Sequence, residues 1–258
     1  MVINKKIGRE VIIISNELDY LKEVKASKIP FLLVLHENEM DSYGNDISFA
    51  PYIYLIPDYL AINNETIDNL IEDDYLRLVI SRFRDIPLVI DNNQKLYIRE
   101  LTIDDVDSLI NLYKNEKYIE PFFDNKNDAE TCLKKYIKDV YGFFGFGIWG
   151  VFSNSELYGI KNEFMGITGF SRRDEGIELC YALIEKYRSK NLAYEAVNLA
   201  IDYADRNIEY DKIIINVDKS NINSIKLAEK IKKGRTKIEL NIRENKTNLD
   251  ILALGVII

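Results

Sequence analysis

The sequence is short of the residues that carry metal and redox chemistry: one histidine and two cysteines in 258 residues. Cys132 and Cys180 have no pairing logic, so they read as free thiols in a reducing compartment. The Asp and Glu residues are scattered without metal-ligand spacing, and no metal is expected. No apolar run approaches the ~18 residues of a membrane span, and no basic-then-apolar leader opens the chain. These absences lead to the expectation of a cytoplasmic protein with no membrane partner. An excess of positive charge is missing too. Lysine and arginine number 34 against 42 aspartate and glutamate, a formal charge of −8. No dense Lys/Arg run stands beside a motif, so nucleic acid is not an expected partner. An acidic surface would suit a cationic amine, although many proteins carry one without that purpose.

What is present is ample core material: 47 % hydrophobic residues, with seventeen Tyr and eleven Phe. The length fits two modest domains. Ile86–Gln94 reads as a boundary, giving domains 1–92 and 93–258. In the first, strands are expected at Glu10–Ser15, Ile29–His36 and Tyr52–Ile56, and helices at Glu17–Lys28 and Thr66–Arg84. Asn16 is the expected cap of the first helix, whose partial apolar face is Leu18, Leu21, Val24 and Lys25. The order β-α-β-loop-β-α implies a small parallel sheet with helices, a half-Rossmann-like α/β layout. His36 has no Ser, Cys or acid partner visible in the sequence and reads as structural.

The second domain is organised around Glu178–Arg206. A strand, Glu178–Ile184, is followed by a polar turn, Glu185–Asn191. A helix then begins, with Ala193, Ala196, Val197, Ala200 and Ala204 on one face. A strand that turns abruptly into a helix aims the helix's free N–H groups and its dipole at the turn, which suits an anion. Arg188 and Lys190 add positive charge there. Gly145-x-Gly147-x-x-Gly150 formally matches a dinucleotide fingerprint. It follows a helix and enters a strand, however, the reverse of what that fingerprint requires.

The run Arg188, Ser189, Lys190, Asn191, Leu192, Ala193 resembles the cofactor signature of the GNAT N-acetyltransferase superfamily, (Gln/Arg)-x-x-Gly-x-(Gly/Ala). Arg188 and Ala193 fit, and Asn191 stands where glycine is usual. Asparagine follows glycine in its tolerance of left-handed backbone angles. The turn is therefore expected to survive, with the Asn191 side chain a candidate to crowd the phosphates. Asn221 and Ser224, after the strand Lys212–Val217, resemble the family's Asn-x-x-Ser motif. Leu96–Leu101 with Thr102–Val106 resembles its opening strand and helix. Thr102 or Asp104 is expected to cap that helix, which runs to about Asn115, and Asp128–Val140 forms the next. Tyr141–Phe152 resembles the family's aromatic-glycine approach to its second strand, and Phe164–Phe170 and Gly176–Ile184 read as a hairpin. Thr236–Arg243 and Asp250–Ile258 read as closing strands joined by a turn.

The resemblance covers Leu96–Ile258 and implies a mixed, splayed central sheet flanked by helices, with acetyl-CoA as co-substrate. It implies Arg188, Ser189, Lys190, Asn191, Leu192, Ala193 and Tyr194 at the pyrophosphate, and Asn221 and Ser224 at the pantetheine arm. Backbone N–H groups near Ala182 and Leu183 would polarise the thioester carbonyl. Glu178 is the candidate general base. Ala228 occupies the place where many relatives carry a tyrosine acid, as in the branch resembling ribosomal-protein N-terminal acetyltransferases. Pro121, Phe122, Phe123 and Asp124 would face the acceptor. The implied reaction is direct acetyl transfer, in a ternary complex, to a primary amine on a small molecule or a protein N-terminus. The alternative is a degenerate acyl-CoA-binding or sensing protein with its output through the first domain. That domain resembles an extension found on some clostridial-type GNAT proteins, a shrunken haloacid-dehalogenase-like fold. Ser15 and Asn16 stand where a working phosphatase needs aspartate, so it reads as a non-catalytic docking, dimerising or sensing module, a homodimer being one outcome.

Overall fold

The computed structural model describes residues 2–7, 9–39, 42, 44–50, 53–56, 73–115, 118, 125–154 and 162–244. The chain divides into two compact units, Met1–Leu88 and Val89–Ile258.

In the first unit β1 (Val2–Ile7), β2 (Glu10–Ser15), β3 (Phe31–His36) and β4 (Ile53–Ile56) form one sheet in that order. β2, β3 and β4 are parallel and β1 runs antiparallel at the edge. Parallel strands covered on both faces read as unbroken apolar runs. Accordingly, Ile12, Ile14, Leu32 and Val34 pack with Leu76 and Val79 of α2 (Asp73–Arg84). Ile13, Phe31, Leu33 and Leu35 pack with Leu21 and Val24 of α1 (Leu18–Ala26). β1 escaped the sequence reading because only Ile3 and Ile7 of its residues are buried. Three details differ from expectation. The N-cap of α1 is Glu17, not Asn16, and the Ser15 hydroxyl accepts from the Glu17 N–H at 3.0 Å. Lys25 is exposed, its amine donating to Phe49 O at 3.0 Å instead of joining the apolar face. The helix expected from Thr66 is described only from Asp73. His36 Nδ1 accepts from the Asn38 N–H at 3.1 Å, a local structural bond.

The second unit holds a seven-stranded sheet, in the order β11-β10-β9-β8-β7-β6-β5. Its strands are β5 (Val89–Asn92), β6 (Leu96–Arg99), β7 (Ile148–Ser153), β8 (Phe164–Arg173), β9 (Gly176–Leu183), β10 (Ile213–Asp218) and β11 (Ile238–Arg243). β5 through β9 are antiparallel neighbours, while β9, β10 and β11 run parallel. β5 lies inside the stretch that read as a boundary; four residues with one bulge give little periodicity to see. The closing strand and turn expected after Glu244, and the acceptor loop Pro121–Asp124, lie outside the described residues.

α3 (Val106–Lys114) is entered through a turn that Thr102, one of the two expected caps, opens in a capping box with Asp105. The Asp105 Oδ2 accepts from the Thr102 N–H at 2.7 Å, and Arg99 grips both carboxylate oxygens at 2.8 and 2.9 Å. α4 (Lys126–Tyr136) is capped by Asn125 and runs into a single π turn, Ile137–Tyr141. There the Ile148 N–H donates to Tyr136 OH at 2.7 Å, and Tyr141 OH donates to Ile148 O while accepting from the Leu101 N–H at 3.2 Å. Gly145 ends this helical stretch at φ 71° and β7 follows, so the glycine triplet serves a helix-to-strand turn. On the other side of the sheet α5 (Leu192–Asn207) packs through Tyr203, whose ring meets Trp149 edge-on at 5.3 Å. α6 (Ile222–Lys232) covers β10 and β11.

Candidate active site

β9 and β10 pair only at Ile177–Ile213 and Glu178–Ile214, and then part. The rest of β9 stays joined to β8 through Leu183, and the rest of β10 to β11. A wedge opens inside the sheet, and a cavity of about 490 Å³ fills it. Its walls include Leu179, Tyr181 and Leu183 from β9, Ile215 and Val217 from β10, and Ser224 from α6. The cavity runs on to Arg188, Ser189, Asn191, Leu192, Ala193 and Tyr194 at the start of α5. The structure thus brings the two sequence motifs to one cleft.

The turn into α5 adopts left-handed angles at two non-glycine residues, Ser189 (φ 61°) and Asn191 (φ 62°, ψ 7°). Asn191 is the N-cap residue, yet its side chain makes no cap bond. A capping side chain normally accepts from the second or third N–H of the helix; here the first-turn N–H groups are left to the cleft. The Asn191 side chain turns instead toward α6, where Oδ1 accepts from Lys230 Nζ at 2.9 Å. Arg188 reaches back along the strand, Nε donating to Leu183 O at 2.8 Å. Lys190 Nζ lies 5.8 Å from the centre of the Tyr187 ring.

Backbone register divides the expected carbonyl-polarising pair. The Ile184 N–H donates to Met165 O at 2.9 Å, so by the two-residue period of the ladder Ala182 also directs its N–H toward β8. Leu183 and Tyr181 direct theirs toward the gap. Of the two residues expected near the carbonyl, Leu183 keeps an N–H for the cleft and Ala182 spends its own inside the sheet.

Glu178 stands at the closed end, where β9 and β10 still pair, and is 3 % exposed. It is not part of the cavity wall. Its Oε1 accepts from Asn216 Nδ2 at 2.8 Å, and its Oε2 takes Arg173 Nε at 2.5 Å. Tyr181, three residues on, lies on the opposite face and donates to Ser224 O at 3.3 Å. Cys180 is buried, and burial together with the Glu178 charge pushes its thiol well up. Burial likewise pushes up the hydroxyls of Tyr113 and Tyr136, which face Cys180. These groups are held neutral, as core. Ala228 is wholly buried on α6. Asn221 Oδ1 accepts from the Ser224 N–H at 3.1 Å and so caps α6.

Lys230, Tyr118, Asp218 and Ser220 were missed in the sequence. Lys230 shares a helical stripe with Asn223 and Leu227 of the cavity wall, a spacing legible once Asn221 is taken as the helix start. Tyr118 and Ser220 meet at the cavity, the hydroxyls 3.4 Å apart. Among the described residues no group of three or more His, Cys, Asp or Glu gathers as metal ligands, and no helix is long and apolar enough to cross a membrane.

The sheet thus opens into a slot that leads to an uncapped helix end. A family model, the acetyltransferase (GNAT) domain, matches residues 95–232, just over half of the chain. The chain belongs to the GNAT acetyltransferase family. No curated protein matches it. Solved structures that it resembles include RimL, a ribosomal alpha-N-protein acetyltransferase, at 13 % identity and TM-score 0.46, over 56 % of this chain and 80 % of that one. A GNAT-family acetyltransferase from Bacillus anthracis matches at 18 % and 0.43, over 54 % and 80 %. A spermidine N-acetyltransferase variant from Vibrio cholerae matches at 19 % and 0.45, over 54 % and 78 %.

Proposed function

We propose that this protein transfers an acetyl group from acetyl-CoA directly to a primary amine, with both substrates bound together. The observation that carries this reading is the wedge between β9 and β10, which stops pairing after two residues and leads to the open first turn of α5. The residues present fit the donor. An extended pantetheine arm suits a slot with unpaired strand edges on both sides, and the pyrophosphate suits the first turn of α5 with Arg188 and Lys190. Acetyl-CoA supplies an activated thioester. The N–H groups of Leu183 and Tyr181 are positioned to hold the carbonyl oxygen as negative charge grows on it. The amine nitrogen forms the new C–N bond, the C–S bond breaks, and the proton shed by nitrogen balances the one gained by sulfur. The amine must arrive neutral, although a free alkylamine has a pKa near ~10.

The second reading is a protein that binds acyl-CoA without turnover, residues 1–92 carrying the output. What favours it is Glu178, whose carboxylate is committed to Arg173 and Asn216, together with the buried Ala228. The deciding experiment is titration of the protein with acetyl-CoA, followed by thiol release with a panel of primary amines that includes polyamines and peptides with a free N-terminus. Micromolar binding with thiol release supports transfer. Binding without release from any amine supports the second reading. Absence of binding at millimolar acetyl-CoA removes both.

A further inference from the structure

Among the described residues of the second unit several lysines meet a carboxylate: Lys95 with Glu195, Lys186 with Glu163, Lys212 with Glu175 and Glu239. Lys230 does not. Its ammonium donates to Asn191 Oδ1 at 2.9 Å and lies 3.7 Å from the centre of the Tyr194 ring. Both partners are neutral, and both belong to the cavity wall at the start of α5. Among the described residues no carboxylate lies within ion-pair distance of this amine. Lys230 is exposed, so water shares its charge with a dipole and an aromatic face, and among the described residues no carboxylate does. An ammonium has three donors, and Asn191 takes one.

The tether also accounts for the residue that departs from the family pattern. A glycine at position 191 would reach the same left-handed angles more easily but would offer nothing to hold Lys230. Asparagine accepts the backbone geometry and supplies the acceptor.

We propose that Lys230 is a phosphate-binding residue, completing with the first turn of α5 the site for the pyrophosphate of a CoA thioester, and that Asn191 serves by holding its ammonium there. This rests on the acyl-CoA reading above. Two kinds of phosphate could draw the charge, the pyrophosphate and the 3′-phosphate of the same ligand. The position of Lys230 at the helix start favours the pyrophosphate.

The test is calorimetric titration of the full chain with CoA and with dephospho-CoA, at low and moderate salt. The proteins are the wild type, Lys230→Met, Lys230→Arg and Asn191→Gly. Lys230→Met is expected to weaken both ligands alike, by about tenfold, and to flatten the salt dependence. Its thermal midpoint should stay unchanged, and Lys230→Arg should recover most of the affinity. Asn191→Gly is expected to weaken binding as well. Wild-type affinity in Lys230→Met overturns the proposal, as does a loss matched by a fall in thermal midpoint, which would mark a packing role. A loss confined to CoA moves Lys230 to the 3′-phosphate and overturns the assignment made here. Tighter binding by Asn191→Gly overturns the tether and makes the side chain an obstruction. Failure of the wild type to bind either ligand would appear before any substitution is compared, and it removes the acyl-CoA reading itself.

Discussion

Asn221 and Asn191 each open a helix that borders the cleft, α6 and α5. At Asn221 the side chain accepts from the N–H three residues on, and the helix end is closed. At Asn191 the backbone is left-handed, the side chain is drawn to Lys230, and the helix end stays open. The same residue type thus caps one helix and leaves the first turn of the other uncapped. The backbone differs with it: Asn191 is left-handed at φ 62°, while Asn221 stands at φ −88°. A helix start that forgoes its cap gives up about 1 kcal/mol of stability, and an anionic ligand is what would restore it.

The contrast can be broken by substitution. The largest effect is expected for Arg188→Ala combined with Lys190→Ala: affinity for acetyl-CoA should fall about 100-fold by calorimetry, as for loss of two charged contacts, with unfolding stability changed by less than about 1 kcal/mol. A variant that unfolds easily but binds normally would place the open end of α5 among the structural elements. Next is Glu178→Gln, a probe of the paired end of β9. If the carboxylate is a structural anchor, urea denaturation should show a loss of about 2 kcal/mol and thiol release should persist in the fraction that stays folded. A general base would instead cost two or more orders of magnitude in turnover with stability kept. Third, Asn221→Ala should cost about 1 kcal/mol of stability, the value of one cap, with a smaller effect on acetyl-CoA affinity. The reverse ranking would erase the distinction between the two asparagines.

The smallest effect concerns pH. Burial raises the Cys180 thiol and the Tyr113, Tyr136 and Tyr141 hydroxyls above their unfolded values. A raised folded value means that the stability linked to these groups is whole below the unfolded value and lost as pH rises past it. Thermal midpoints should therefore hold to about pH 8.5 and decline as pH climbs through ~10, the ordinary values for thiol and phenol. At pH 8 a thiol reagent should modify partly exposed Cys132 and spare Cys180.

What could be read from the sequence was what neighbouring residues decide together. The β9-turn-α5 run and the Asn221–Ser224 motif are local, and both stand at the cleft. The glycine triplet was rightly set aside because its place between helix and strand was legible. What escaped depends on partners distant in the chain. Ala182 and Leu183 look alike until register with β8 assigns one N–H to the sheet. Glu178 looks available until the β8–β9 hairpin brings Arg173 to it and the crossover brings Asn216. Lys230 is a surface lysine whose bond to Asn191 appears only when α6 is laid beside α5. At α1 the expected cap Asn16 gives way to Glu17, set by the backbone direction at the end of β2, which composition does not specify.

The π turn at Ile137–Tyr141 sets a measured length between α4 and the sheet. In a regular helix, residues five apart diverge by about 140° around the axis. The wider turn brings Tyr136 and Tyr141 to one side, their rings 5.2 Å apart, so that one hydroxyl receives the N–H of Ile148 and the other reaches its carbonyl. Winding the same residues into a regular helix, with none removed, would swing Tyr141 away by that angle and strand a buried peptide at the first residue of β7. The irregular turn therefore acts as a spacer gauge: its wide winding fixes where β7 begins, and the same residues in a better-formed helix would make a worse protein.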